Sequence, residues 1–227
     1  MKTAIVSASR DKNYSKSLLA ASLKPIEKYV THTKQHELHS YNFPDNTAGL
    51  SVTYNTFLDQ HPEYECVIFA HDDIFIDDLL LLDKLDAAFN DYDIIGLAGG
   101  SSPVLAPPIL WHLMCPRNTH AGCVAHFANE QATQIFHTAF GPTPARVALI
   151  DGLFMAVKVP LINKVGWRFN PEFTYHHYDI AGCIDANNKK LKIGVIPINV
   201  IHASPGLRSL QDPKFQASQN AFMRLYA

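Results

Sequence analysis

The side chains best suited to chemistry gather in His71-Asp72-Asp73-Ile74-Phe75-Ile76-Asp77-Asp78, directly behind the apolar run Cys66-Val67-Ile68-Phe69-Ala70. Adjacent carboxylates at the end of a buried strand repel each other and lose hydration. A hard divalent cation that also binds phosphate oxygens would offset both effects. Turn and helix-capping acids are the plainer explanation of such a run, and it is adopted for Asp77 and Asp78, which sit where a helix N-terminus favours negative charge. A second feature is Ile150-Asp151-Gly152-Leu153-Phe154, an acid–glycine pair entering an apolar strand, where backbone can approach a ligand closely. A third is Phe173-Thr174-Tyr175-His176-His177-Tyr178-Asp179-Ile180. Asp179, in the first turn of a helix, would be held ionised there and could serve as a base, or it could simply cap the helix. The fourth is Val200-Ile201-His202-Ala203-Ser204-Pro205-Gly206, a strand ending in a histidine that is either structural or a ligand.

These residues need elements to position them. Ala4–Ala8 reads as a buried strand, Asn13–Leu23 as a helix, Glu37–Phe43 as a second strand. After the loop signal Pro44-Asp45-Asn46, Asn46 or Thr47 caps a helix with Leu50, Tyr54, Phe57 and Leu58 on one face. Cys66–Ala70 is a strand, and Asp77 and Asp78 open a helix through Leu82, Leu85 and Phe89. Asp93–Ala98 returns as a strand and stops at Gly99-Gly100. Four repeats of this kind predict an α/β sandwich with a largely parallel sheet. Ligands sit at the carboxyl ends of such strands, which directs attention to Ser7-Ala8-Ser9-Arg10 as well as to His71-Asp72-Asp73. Later come apolar runs at Val147–Ile150 and Leu153–Val157, a helix from 177 to 188, strands at 191–196 and 199–201, and an amphipathic segment, 215–225, that packs back on the body.

Residues 99–147 differ in kind. They hold six of the fourteen prolines and four histidines, His112, His120, His126 and His137, with Glu130 the one acid. Neither periodicity is sustained, although Ile109–Met114 and Cys123–Phe127 could be strands. The stretch reads as an irregular insertion or flap over the sheet's active edge, with Trp111, His112, His120 and His126 forming a wall on the acceptor side of a cleft or a subunit contact.

The chain of 227 residues is expected to form one domain over 1–227, long enough to bury a core without disulfides. Nineteen basic against twenty-one acidic residues give a formal charge of −2, which disfavours a nucleic-acid partner. Cys66, Cys115, Cys123 and Cys183 lack a C-x-x-C pair and read as free thiols of a reducing compartment. The sequence enters a strand-like run at once, without a signal-peptide pattern. It has no apolar stretch near the ~20 residues needed to span a bilayer, so no transmembrane segment and a cytoplasmic location are expected.

Together the four features resemble family 2 glycosyltransferases of the GT-A fold, in particular the StrF-like branch, in which the aspartate motif reads as a strand followed by His-Asp-Asp, as in Phe69-Ala70-His71-Asp72-Asp73. Ile150-Asp151-Gly152, Phe169-Asn170-Pro171-Glu172-Phe173, Tyr178-Asp179 and Ile201-His202-Ala203-Ser204 follow in the same order, so that the resemblance spans residues 3–206. It implies a GT-A-like single domain with a Rossmann-like, mixed but mostly parallel sheet flanked by helices. It also implies a metal-dependent inverting enzyme of polysaccharide biosynthesis type. Such an enzyme moves a sugar from a nucleoside-diphosphate donor to a glycan or small-molecule hydroxyl. On this resemblance Ser7, Ser9, Arg10 and Asn55 face the nucleotide, and Asp151 and Gly152 lie near the donor sugar. Asp72, Asp73 and His202 hold Mn²⁺ or Mg²⁺, and Asp179 is the base. A homo-oligomer is left open. The sequence departs from the family pattern at Ala70, Asn170, Ala181 and Asp185. Ala181 and Asp185 keep two other readings in view: a catalytically silent domain that binds a nucleotide sugar or glycan, and a metal-dependent hydrolase built on His71, Asp72, Asp73 and His202, with Asp179, His176 and His177 as its second cluster.

Overall fold

The computed structural model describes residues 1–9, 12–127, 134–203 and 210–227. Apolar runs without alternation become strands buried on both faces. They are β1 (Lys2–Ala8), β3 (Cys66–Ala70) and β11 (Phe154–Lys158), whose residues are almost wholly shielded. With β2 (Glu37–Phe43), β5 (Ile94–Gly96), β9 (Ala145–Val147) and β12 (Ile193–Val195) they form a seven-stranded sheet of order β2-β1-β3-β11-β5-β12-β9. β1 runs parallel to β2 and β3, and β12 parallel to β5. β11 lies antiparallel between β3 and β5, and β9 antiparallel to β12. The sheet is mixed as expected, but three of its six pairings are parallel rather than most of them. A run buried on both faces carries no signal of its direction.

Twice the chain passes through a single residue from a strand of this sheet to a strand of a second. β6 (Ala98–Gly100) follows β5, and β10 (Leu149–Ile150) follows β9. With β7 (Ala121–Phe127), β13 (Val200–His202) and β4 (Ile74–Ile76) they give the order β10-β6-β7-β13-β4, with β8 (Ile135–Gly141) paired to β7. Gly99 is required at this crossing, because a Cβ there would collide with the Leu149 carbonyl oxygen. The described residues of 99–147 therefore supply regular structure, including the interior strand β7. Ile109–Met114 is not a strand but a loop running into the short helix α4 (Trp111–Met114), and Ile109, Trp111 and Met114 are buried.

The helices flank the sheets. Asn13 does not start α1 (Leu18–Thr33): residues 14–16 form a 3-10 turn, and the Ser17 hydroxyl accepts the Ala20 amide at 3.1 Å as the true cap. The helix runs past Leu23 because Ile26 and Val30 continue its buried stripe. α2 (Leu50–Gln60) is led in by Gly49, not by Asn46 or Thr47. Its first amide bonds Thr174 O at 2.6 Å, while the Asn46 side chain braces the loop through Ala48 N and Thr53. α3 (Leu81–Ala88) starts beyond Asp77, and buried Asp78 accepts Leu80 N and pairs with Lys84 at 2.6 Å. α5 (Val159–Lys164) and α6 (Tyr178–Asn188) follow. α7 (Pro213–Tyr226) packs back through Phe215 and Phe222. Among the described residues no helix is long and apolar enough to cross a membrane.

Phe222 is fully buried, with its ring 5.0 Å from Tyr226, 6.0 Å from Phe173 and 6.1 Å from His177. Phe222→Ala is expected to cost about 3–5 kcal/mol, read as a lower urea midpoint at an unchanged m-value.

Candidate functional site

β3 ends at Ala70, and the three residues before β4 carry the acids. They form a turn between the two sheets, which aims neighbouring side chains in different directions. His71 and Asp73 share a side, whereas Asp72 turns to Ser9, whose hydroxyl donates to its carboxylate at 2.5 Å. The antiparallel pairing of β13 with β4 sets His202 opposite Ile74, one residue beyond Asp73. His202 Nε2 lies 3.5 Å from Asp73 Oδ1, and His71 Nδ1 lies 3.9 Å from the same oxygen. One ligand atom from each of His71, Asp73 and His202 falls within 4.8 Å of the others. Asp73 and His202 thus converge as expected, but the third member is His71 and not Asp72.

These three residues can hold a metal ion. Asp73 Oδ1 and His202 Nε2 are shielded from solvent and have no hydrogen-bond partner, an arrangement that a bound cation would satisfy. Burial works to raise the Asp73 pKa, but the attraction of the nearby imidazoles, His202 first and then His71, prevails and holds it below the usual carboxylate range. Burial lowers the His71 pKa, which keeps the imidazole neutral and able to ligate. Beside the acids opens a cavity of about 280 Å³, lined by Ser9, Tyr14, Lys16, Ser17, Asp72 and Asp73 among others. The N-terminus of α1 and Lys16 give that cavity a positive side. A larger recess of about 400 Å³, lined by Glu27, Lys34, His36 and Glu37, opens at the other end of the strands and touches none of these residues.

A second group of residues surrounds Gly152. Its amide donates to Asp179 Oδ2 at 2.8 Å, and its carbonyl accepts the Tyr178 hydroxyl at 2.7 Å. A Cβ at this position would lie 2.6 Å from that hydroxyl, so only glycine fits. Asp151 accepts Leu153 N and the Trp111 indole N–H, each at 3.0 Å. Burial first, and then the charge of Asp151, push Asp179 up to about 7 against the pull of three backbone amides. Asp179 is thus a carboxylate poised to take a proton near neutrality, whereas the sequence led us to expect one simply held ionised by its helix.

The remaining expected residues divide. Ser9 lines the cavity, but Ser7 is buried within β1 and its hydroxyl has no partner there. Arg10 lies outside the described residues, as do Glu130 and Ser204–Gly206 of the late motif. Asn55 does not face the cavity. Its amide group donates to Phe169 O at 2.7 Å and accepts Phe169 N at 2.9 Å, which clamps the chain before α6. Asp185 accepts the Tyr226 hydroxyl at 2.8 Å, and Asn170 donates to that hydroxyl at 3.1 Å, so both anchor α7. His177 is bound at Nδ1 to Ser218 at 2.7 Å, and burial pushes it down to about 4. The histidines expected to line a wall split in two. Trp111 packs on His112, His120 and Phe140, while His126 stacks on Phe136 at 5.2 Å and lies 5.8 Å from His202. Lys16 and the Trp111–Asp151 contact were missed, and His71 was named only in the hydrolase reading.

Residues 21–224 match the family described as "Glycosyltransferase like family". A search of curated protein sequences found no match. The fold is similar to that of A197 from STIV, at 14% identity over 90% of this chain and 86% of that one, with a TM-score of 0.50. It is also similar to the catalytic domain of Drosophila beta1,4galactosyltransferase 7, solved in complex with xylobiose, at 6% identity over 92% of this chain and 67% of that one, with a TM-score of 0.52. S. aureus TarS 1–349 in complex with UDP follows at 14% identity over 90% and 61%, with a TM-score of 0.49.

The proximity of Asp151 sets a prediction for Asp179. Removing the neighbouring negative charge makes the anion of Asp179 easier to form, so Asp151→Asn should move its titration midpoint from about 7 toward the usual carboxylate range. Carboxyl carbon NMR measures this directly, and an unmoved midpoint would leave burial as the whole cause.

Proposed function

The chain belongs to the glycosyltransferase-like family and has the GT-A fold. From that premise we propose that it moves a sugar from a nucleoside-diphosphate donor to the hydroxyl of a glycan or small-molecule acceptor, by a metal-dependent single displacement with inversion. The observation that carries the reading is the pair of carboxylates pushed in opposite directions, Asp73 down among two imidazoles and Asp179 up beside Asp151. Carboxylates driven apart by their surroundings mark separate acid–base roles.

Asp73, His71 and His202 would hold the ion, and the two imidazoles favour Mn²⁺ over Mg²⁺, which prefers oxygen ligands. When bound, a divalent ion neutralises the charge that develops on the leaving diphosphate. Lys16 and the α1 N-terminus offer the donor's phosphates positive charge in the cavity beside Asp72, and Ser9 holds the Asp72 carboxylate in place. The Asp179 carboxylate, pushed up to about 7, accepts the acceptor hydroxyl's proton as that oxygen attacks, and the Gly152 amide stabilises its anionic form beforehand. Burial first and then Asp151 keep Asp179 basic enough for this, and the Trp111 indole holds the Asp151 carboxylate in place. Four free cysteines suit a reducing compartment, which supports a cytoplasmic location.

Two rival readings stand beside this one. The silent domain rests on Ala181 and Asp185, and Asp185 has a structural role in the docking of α7. The hydrolase needs a second acid–histidine cluster, and His177 is tied to Ser218; among the described residues His71, Asp73 and His202 are the one candidate cluster.

A thermal-shift screen of nucleoside diphosphates with and without Mn²⁺ should find a ligand that stabilises only in the presence of the ion. At about 100 Kd such a ligand raises stability by ~2.7 kcal/mol. With donor and acceptor in hand, Asp179→Asn should lower turnover by about 10²–10⁴ and leave nucleotide affinity nearly unchanged. Equal losses in rate and affinity would instead assign Asp179 to donor binding.

A further inference from the structure

We propose that Tyr178 is a positioning residue that fixes the tautomer of His71 and so makes His71 Nδ1 a metal-ligating atom. The inference rests on the metal-dependent reading above. The Tyr178 hydroxyl lies 2.7 Å from the carbonyl oxygen of Gly152 and 3.4 Å from His71 Nε2. A phenol has one proton and a carbonyl can only accept, so that proton belongs to the Gly152 bond. Tyr178 therefore presents a lone pair to His71, and His71 Nε2 must carry the hydrogen. A neutral imidazole protonated on Nε2 has a bare lone pair on Nδ1.

That lone pair faces Asp73, with Nδ1 3.9 Å from Oδ1, and His202 Nε2 approaches the same oxygen to 3.5 Å. One candidate ligand atom from each of His71, Asp73 and His202 lies within 4.8 Å of the others, so a cation placed among them would meet all three. Asp73 Oδ1 and His202 Nε2 are both shielded and neither has a hydrogen-bond partner, which leaves both atoms available to a cation.

The lock is held rigidly. Tyr178 is buried in the first turn of α6, with its ring 5.6 Å from Phe169 and 6.1 Å from Tyr54. The adjacent Asp179 grips the other end of the same glycine through its amide. The His71 main chain is fixed too, by its amide bond to Leu153 O at 3.0 Å. Nothing in this arrangement needs the ion to be present, so the tautomer is set before metal arrives. Outer partners that orient a ligating histidine typically change metal affinity by about 10–100-fold.

The test is the Kd of Mn²⁺ alone, read from the paramagnetic resonance of the free ion, for the full chain and four variants. Asp73→Asn should abolish binding. Tyr178→Phe should weaken it by about 10-fold or more, with the fold checked by thermal melting. His71→Asn puts its amide oxygen near the place of Nδ1, whereas His71→Gln reaches the place of Nε2, so Asn should retain more affinity than Gln. This comparison decides the matter alone if Tyr178→Phe does not fold. A folded Tyr178→Phe with unchanged affinity, or Gln binding better than Asn, would overturn the tautomer lock while loss in Asp73→Asn still upheld the metal site. No binding by the parent chain, or binding indifferent to Asp73→Asn, would overturn the metal-dependent reading and this inference with it.

Discussion

The grip on the Gly152 peptide is the constraint from which the rest of the site follows. Consecutive residues of α6 take its two polar groups, Tyr178 the carbonyl and Asp179 the amide. The residues on either side extend the grip: Asp151 acts on Asp179 by its charge, and Leu153 O accepts the His71 amide. No side chain fits at position 152, since its Cβ would enter the Tyr178 hydroxyl. One main-chain unit at the mouth of β11 thereby sets the place of both the candidate base and a candidate metal ligand. Groups held by sheet and helix backbone keep their geometry better than groups on free loops.

That arrangement depends on how α6 begins. His177 enters it in the left-handed region, φ 64°, a conformation non-glycine residues seldom adopt. Ser218 of α7 stabilises the turn from both sides, donating to His176 O at 2.9 Å and bonding His177 Nδ1. Asn55 clamps Phe169 just upstream, and Asp185, Asn170 and Tyr226 close a network between α6 and α7. Asn170 and Asp185 thus share a role in the docking of the last helix.

The electrostatics are local. A net charge of −2 spreads little field over the chain, yet two carboxylates are driven to opposite sides of the ordinary range. Imidazoles that attract outweigh burial at Asp73, whereas at Asp179 burial and a like charge outweigh three backbone amides. The difference lies in the neighbours and not in the residue type.

The sequence by itself determined the types of chemistry available and the elements with strong local signals. β2 and β3 were legible to the residue because their runs are bounded by polar and charged residues, and α6 was legible within one residue. The acid–glycine pair, the late histidine and Asp179 were visible as candidates for the same reason: residue type is local information. Tertiary structure decided which atoms meet. It put β11 antiparallel between β3 and β5, which a doubly buried run cannot announce. It turned the Asn55 amide to a backbone 114 residues away and Asp72 to Ser9, leaving His71 to join Asp73 and His202. Tyr178 reaches His71 across 107 residues of sequence. Hydrogen bonds and charges act over a few ångströms of space, and a chain's order in sequence does not encode those distances until its strands have paired.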